Sequence, residues 1–283
     1  MTVMWTTEGF PDLRIPEALL RPASALRSLA EYRARPKAST DGPLIPGLHR
    51  LRYRGDLQHA YSRGWLDVLT DISDVYARRY RSGGLPVEYA PFGSFPGGYE
   101  DLGLTRDIDV LWMGKRATRR RSKMLDGLEH ELDRRGIRMH VVDGVRRPFV
   151  FGEERTRLLN RSRITLNLLR TWYDENSMRF FLAAPNRSLF VSESLMPHVP
   201  DLKPGVHYVH GSPDLLPDLI ERYLERDEER DAIVDHAYEA ATAQLTLERT
   251  ARQILGSVER VRTTRRQRHS GSAARQAPRP ITR

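Results

Sequence analysis

The 283-residue sequence predicts an α/β protein built on a doubly wound parallel sheet, and three observations carry that prediction. From Arg106 onward, short apolar runs alternate with amphipathic helical segments, the order of crossover units that feed a parallel sheet. The runs read as strands covered on both faces. No cysteine is present, so neither a disulfide framework nor a thiolate metal cluster competes with this reading.

Ile108 to Met113 reads as the first buried strand of the regular half. Arg119 to Arg135 follows as a helix with Met124, Leu125, Leu128 and Leu132 on one face, stopped by Gly136. Ile137 to Val142 is the next strand, Glu153 to Arg161 a helix, Arg163 to Leu168 a strand, Ser177 to Ala184 a helix, and Ser188 to Ser192 a strand. Tyr208 and Val209 add a short fifth strand. Ser212 reads as an N-cap with Pro213 in the first helical position, opening a helix over Leu215 to Glu225. Asp227 to Ala243 and Leu245 to Val261 are two closing helices.

The first hundred residues are less regular, because Pro11, Pro16, Pro22, Pro36, Pro43 and Pro46 divide them. Strands are expected at Val3 to Trp5, Asp67 to Thr70 and Val87 to Ala90, with helices over Leu20 to Arg33 and, capped by Ser73, up to Tyr80. Two or three strands make a weak sheet by themselves, so this region reads as a shortened second α/β domain. The expected division is therefore a partial domain over 1–95, a sheet domain with closing helices over 96–260, and a disordered arginine-rich tail over 261–283.

The chain carries 46 Lys+Arg against 37 Asp+Glu, a net charge of +9. Arg260, Arg262, Arg265, Arg266, Arg268, Arg275, Arg279 and Arg283 lie in a terminal stretch without acidic residues, which leaves 38 basic and 37 acidic residues in the body. The excess charge thus belongs to the tail, as a solvated face or as a nonspecific contact with nucleic acid or another anionic surface. No apolar run approaches the ~20 residues of a membrane helix, and Met1 to Phe10 lack the pattern of a secretory signal. A soluble, cytoplasmic protein is expected.

Candidate chemistry gathers where strands meet helices. The loop Gly114-Lys115-Arg116-Ala117-Thr118-Arg119-Arg120-Arg121 follows the first regular strand and opens its helix. A phosphate fits such a loop, since a helix N-terminus offers unpaired amides and arginines grip phosphate oxygens with paired donors. A solvated basic turn is the alternative. Asn176 or Ser177 could cap the following short helix, whereas Arg179 in its first turn opposes the helix dipole and calls for an anion or carboxylate partner. Ser192 and Glu193 end the fourth strand, where a carboxylate suits a sugar hydroxyl or a ribose and also suits plain surface exposure. His198, His207 and His210 do not form a metal-ligand pattern, and no metal is expected.

The order Asp107-Ile108-Asp109-Val110-Leu111-Trp112-Met113-Gly114, then Leu158 to Asn167, then Asn176-Ser177-Met178-Arg179-Phe180-Phe181, resembles the C-terminal domain of GT-B glycosyltransferases of the group-1, CgeB-like (spore-maturation-protein) branch. The resemblance runs from about residue 67 to 255 and includes Tyr89-Ala90-Pro91-Phe92-Gly93, similar to the family's interdomain linker. It implies a Rossmann-like C-terminal domain holding a nucleotide-sugar donor, with an acceptor presented across a cleft. By the family pattern, donor contacts fall on Gly114, Lys115, Arg119, Arg120, Asn176, Arg179, Ser192 and Glu193. The implied reaction is a metal-independent, hexosyltransferase-type transfer without a cofactor, the donor being a substrate. The chain departs from the family at Leu182, where a glutamate is usual, and at Arg187, where a glycine is usual. These departures and the short N-terminal region imply an alternative, a catalytically degenerate GT-B domain that serves as a binding or assembly module.

Overall fold

The computed structural model describes residues 1–7, 15–20, 22, 23, 26, 48–171, 174 and 177–275. Two parallel sheets organise the chain. The first has three strands, β1 (Val3–Thr6), β2 (Val68–Asp71) and β3 (Val87–Tyr89), in the order β1-β2-β3. The second has five, β4 (Ile108–Met113), β5 (Met139–Val142), β6 (Ser162–Asn167), β7 (Leu189–Ser192) and β8 (Val209–His210), in the order β5-β4-β6-β7-β8. Every strand pair in both sheets is parallel. The sequence reading of a doubly wound sheet preceded by a smaller α/β unit is what forms.

Strand periodicity explains how the larger sheet is covered. Val110, Trp112, Ile164, Leu166, Leu189 and Val191 face one side, where they meet Leu125, Leu128 and Leu132 of α3 (Arg119–Arg134) and Leu216 and Ile220 of α6 (Leu216–Glu225). Phe190 faces the other side and packs among Phe180, Phe181, Met196 and Tyr208. Leu111 and Val142 share that second side with Leu159 of α4 (Gly152–Asn160). Both faces are dry, which is why the strands read as uninterrupted apolar runs.

The smaller sheet rests on α1 (Leu48–Ser62) and α2 (Asp74–Ser82), with Leu57, Leu69, Tyr76, Ala77, Tyr80, Leu85 and Val87 as its core. Helix α1 is absent from the sequence expectation. Its inward face carries Arg54, buried against Tyr80 and held by Glu17 at 2.5 Å, so the apolar stripe that would have announced it is broken by a cation. Most of the helix expected over Leu20 to Arg33 lies outside the described residues.

The end of the chain returns to the smaller sheet. After α7 (Asp227–Glu239), a π-helical turn at Ala240–Gln244 redirects the backbone into α8 (Leu247–Arg275). Helix α8 crosses β2, and its Ser257 and Arg260 both bond Glu88. The linker is stitched to the start of α8 by Ser94 N–H to Leu245 O, Leu247 N–H to Ser94 O and Thr250 Oγ1 to Pro91 O. Of the tail expected over 261–283, residues 261–275 continue α8, and 276–283 lie outside the described residues. Arg260 and Arg265 find Glu88 and Asp67, partners about two hundred residues away that a local charge census does not reveal. The expected cap at Ser212 is corrected as well. Ser212 closes a turn by accepting from Leu215 N–H, and the helix begins at Leu216 with Pro217 in its first turn.

Candidate functional site

The carboxyl ends of β4, β6 and β7 lie side by side, and the loops leaving them bring most of the predicted residues together. Gly114 follows β4 with φ +147°, and a Cβ there would stand 2.5 Å from the Arg179 guanidinium. The glycine therefore makes room for an arginine of the protein itself. Arg179 donates from Nε to Met113 O at 3.0 Å and from Nη1 to Asn167 Oδ1 at 3.1 Å, tying β4 to β6. Burial, then the neighbouring Arg121, lowers its pKa to about 9, so it stays charged at neutral pH. Of the anion or carboxylate expected for Arg179, the structure supplies within the protein a carbonyl and an amide oxygen instead of a carboxylate.

Arg120, in the first turn of α3, reaches across to the end of β7. Its Nη1 donates to Glu193 Oε1 at 2.9 Å and to Leu169 O at 3.1 Å, while Glu193 Oε1 also accepts Leu169 N–H at 2.7 Å. The Glu193 side chain is 2% exposed against 40% for Arg120, so the pair presents its cation to solvent and its anion to the protein. Ser192 lies beneath, its Oγ accepting from Asn167 Nδ2 at 3.1 Å. Lys115 and Arg119 are exposed on the same loop and first helical turn. Asn176 lies outside the described residues.

Local chemistry shapes the loop between β4 and α3. Thr118 caps α3 by accepting Arg121 N–H at 3.3 Å and donates its own hydroxyl to Arg170 O. Ala117 takes the left-handed conformation at φ 57°, a strained state for a residue with a Cβ. Arg116 points toward the end of β5, away from β6 and β7, and bonds Asp143 at 2.8 Å and Asp126 at 2.7 Å. Although burial opposes it, hydrogen bonds from Arg116, Arg146 N–H and Val145 N–H hold the Asp143 carboxyl well below the usual range. Arg116 is thus a strut of the loop.

Asn167, Asp174 and His198 escaped the sequence reading as site residues, and Arg121, part of the predicted phosphate loop, has inward partners that reading did not foresee. Asn167 was visible as a polar end to an apolar strand. Arg121 is buried, donates to Lys115 O at 3.0 Å and lies 3.8 Å from Asp174, burial lowering its pKa to about 10. Asp174 is paired in turn with Arg170 at 2.7 Å. His198 comes from the loop after β7 and meets Ser73 from the other sheet, Ser73 Oγ to Nδ1 at 2.7 Å, a pairing across 125 residues that no local motif announces. Among the described residues, no group of three or more His, Asp or Glu is placed to hold a metal ion, and no helix is long and apolar enough to cross a membrane.

Leu182 and Arg187, the two departures from the family pattern, have distinct structural roles. Leu182 packs against the apolar cluster of Ile108, Leu111, Val142 and Leu159. Arg187 adopts the left-handed conformation at φ 55° that glycine would adopt without strain. Its guanidinium stacks 4.0 Å over Tyr238 and bonds Asp101 and Asp235.

Residues 119–256 match the family described as glycosyl transferase-like, a span just under half of the chain. No curated protein matches the sequence significantly. Among solved structures, sucrose-phosphate synthase from Thermosynechococcus elongatus superposes with a TM-score of 0.56 at 14% identity, over 82% of this chain and 65% of that one. HepE from Anabaena, solved with UDP-glucose, gives 0.53 at 10% identity over 69% and 64%. Staphylococcus aureus TarM, solved with UDP, gives 0.56 at 8% identity over 74% and 46%. The chain thus spans between about half and two thirds of the length of these relatives. The solved neighbours are GT-B glycosyltransferases, and this chain has their GT-B, Rossmann-like α/β fold.

Proposed function

We propose that the protein is a glycosyltransferase of the CgeB-like branch that uses a nucleotide-diphosphate sugar, with the donor seated on the five-stranded sheet and the acceptor presented from the side of the three-stranded one. The observation that carries this reading is the Arg120–Glu193–Leu169 knot at the adjacent carboxyl ends of β4, β6 and β7, where ligands bind in open parallel sheets. UDP-sugar and UDP complexes of structural neighbours support the donor class. Lys115, Arg119 and the N-terminal turn of α3 meet the diphosphate, and the Arg120–Glu193 pair borders the ribose or sugar with Arg120 outermost. As the nucleoside diphosphate leaves the anomeric carbon, these cations and the helix dipole neutralise its growing charge, a role that needs no metal.

A second reading, a GT-B domain that binds or assembles without turnover, is favoured by Leu182, whose side chain is committed to apolar packing where the family has a glutamate. A thermal-shift series with UDP, GDP and TDP, free and sugar-linked, separates the two. A ligand that binds only the folded state at one hundred times its Kd adds ~2.7 kcal/mol, a rise of several degrees. The expected result is a shift with one nucleotide that Arg120→Ala and Arg179→Ala remove. No shift with any donor overturns the transferase reading.

A further inference from the structure

The loop that follows β7 carries Glu193 at its start and His198 at its tip, and the tip is seated in the other half of the molecule. Three described contacts seat it. Ser73 Oγ lies 2.7 Å from His198 Nδ1, Asp74 N–H donates to His198 O at 3.0 Å, and the Tyr76 ring stacks on the imidazole at 5.7 Å between centroids. Ser73 is itself fixed, because its N–H donates to Asp71 Oδ1 at 2.7 Å and its Oγ accepts Tyr76 N–H as the cap of α2. His198 is buried, and burial lowers its pKa to about 4, so the neutral ring is the form that occupies the clasp at physiological pH.

What the clasp closes is the β6 and β7 part of the proposed donor edge, beside the exposed Lys115, Arg119 and Arg120. Asn167, Leu169, Asp174, Ser192, Ser194 and His198 line a pocket of about 10 Å³, room for one water. A nucleotide needs a cleft on the order of 300 Å³ or more. The groups at the ends of β6 and β7 therefore become available to a ligand of that size only when the loop lifts. The loop lifts only when His198 leaves Ser73, Asp74 and Tyr76.

We infer that Ser73 and His198 form an interdomain clasp that gates the nucleotide site, so that donor entry and separation of the two sheets' carboxyl edges are one event. This rests on the nucleotide-donor reading of the site. It makes His198 a positioning residue: it touches the helix of the smaller sheet and holds its own loop over Asn167 and Ser192.

The absence of cysteine makes a clean lock available. The 3.0 Å bond from Asp74 N–H to His198 O makes these two positions the natural pair for a lock, Asp74→Cys combined with His198→Cys, whose closure on oxidation is verified by thiol titration before use. Hydrogen exchange across residues 194–202 is followed in the oxidised and reduced double variant and in Ser73→Ala, alongside the nucleotide thermal shift. Expected are exchange about tenfold faster in Ser73→Ala and slower in the oxidised lock, with a nucleotide shift that is lost on oxidation and restored by reductant. Exchange unchanged by Ser73→Ala, or equal shifts in the oxidised and reduced forms, overturns the clasp. If the wild type gives no shift with any nucleotide while exchange follows the clasp, the donor reading fails and the interdomain contact stands.

Discussion

The two sheets obey the same parallel rule and end in different chemistry. At the carboxyl edge of the five-stranded sheet, Arg120, Arg121, Arg179, Asp174 and Glu193 stand among buried strands, each with partners, so charge is retained at a cost that only paired geometry offsets. At the same edge of the three-stranded sheet, Asp71 accepts from Thr6 and Ser73 and the edge turns inward to hold His198. One edge displays cations and the other grips a loop. The larger sheet also carries its own cover on both faces, whereas the smaller one depends on α8, which arrives from the far end of the chain.

The sharpest way to break this asymmetry is at Gly93, where linker and α8 touch. A Cβ there would lie 2.4 Å from Thr246 C and 2.5 Å from Leu247 N, backbone atoms that have nowhere to move. Gly93→Ala should cost about 3 kcal/mol in urea unfolding, and amides of β2 and β3 should lose protection before those of β4 and β6. Equal loss in both sheets would show that the smaller one does not depend on α8.

A smaller effect concerns the clasp and pH. Burial lowers the folded pKa of His198 to about 4 from 6.5, so the unfolded chain takes up the proton first as pH falls. Stability is therefore whole above pH 6.5 and declines between 6.5 and 4 by on the order of 2 kcal/mol, most of the value that such a shift implies. His198→Asn should remove that part of the slope. His140 and His207, also lowered by burial, contribute to the remainder, so the difference between the two proteins is the measurement. The smallest change is Arg187→Gly. Relief of left-handed strain and loss of the exposed contacts to Asp101, Asp235 and Tyr238 nearly cancel, leaving a change within ~1 kcal/mol by thermal denaturation.

How legible each part was follows from the range of the forces involved. Strands β4, β6 and β7 and helix α3 could be read directly, because each is a run or stripe of apolar residues whose period is set by its own backbone. The short helix expected over Ser177 to Ala184 breaks instead into a 3₁₀ turn, one α-helical turn at Phe180–Ala183 and a second 3₁₀ turn that ends at left-handed Arg187. Helix α1 was hidden because its buried face includes Arg54, whose partner Glu17 lies 37 residues away. Of the predicted donor residues, Gly114, Arg120, Arg179, Ser192 and Glu193 were found together because strand-to-helix junctions of a parallel sheet share one edge. Their internal partners were not legible.

By itself the sequence determined the α/β class, the strand-helix order of the larger sheet and the edge at which its polar residues meet, since all of these follow from local periodicity and capping. Tertiary structure alone decided that Arg116 is a strut, that Arg179 ties two strands, that the arginine-rich end forms a helix anchored on Glu88 and Asp67, and that His198 reaches Ser73. Each of these is a pairing of polar groups far apart in the chain. Such pairings are created when burial removes water from the groups, and before folding no periodicity records them.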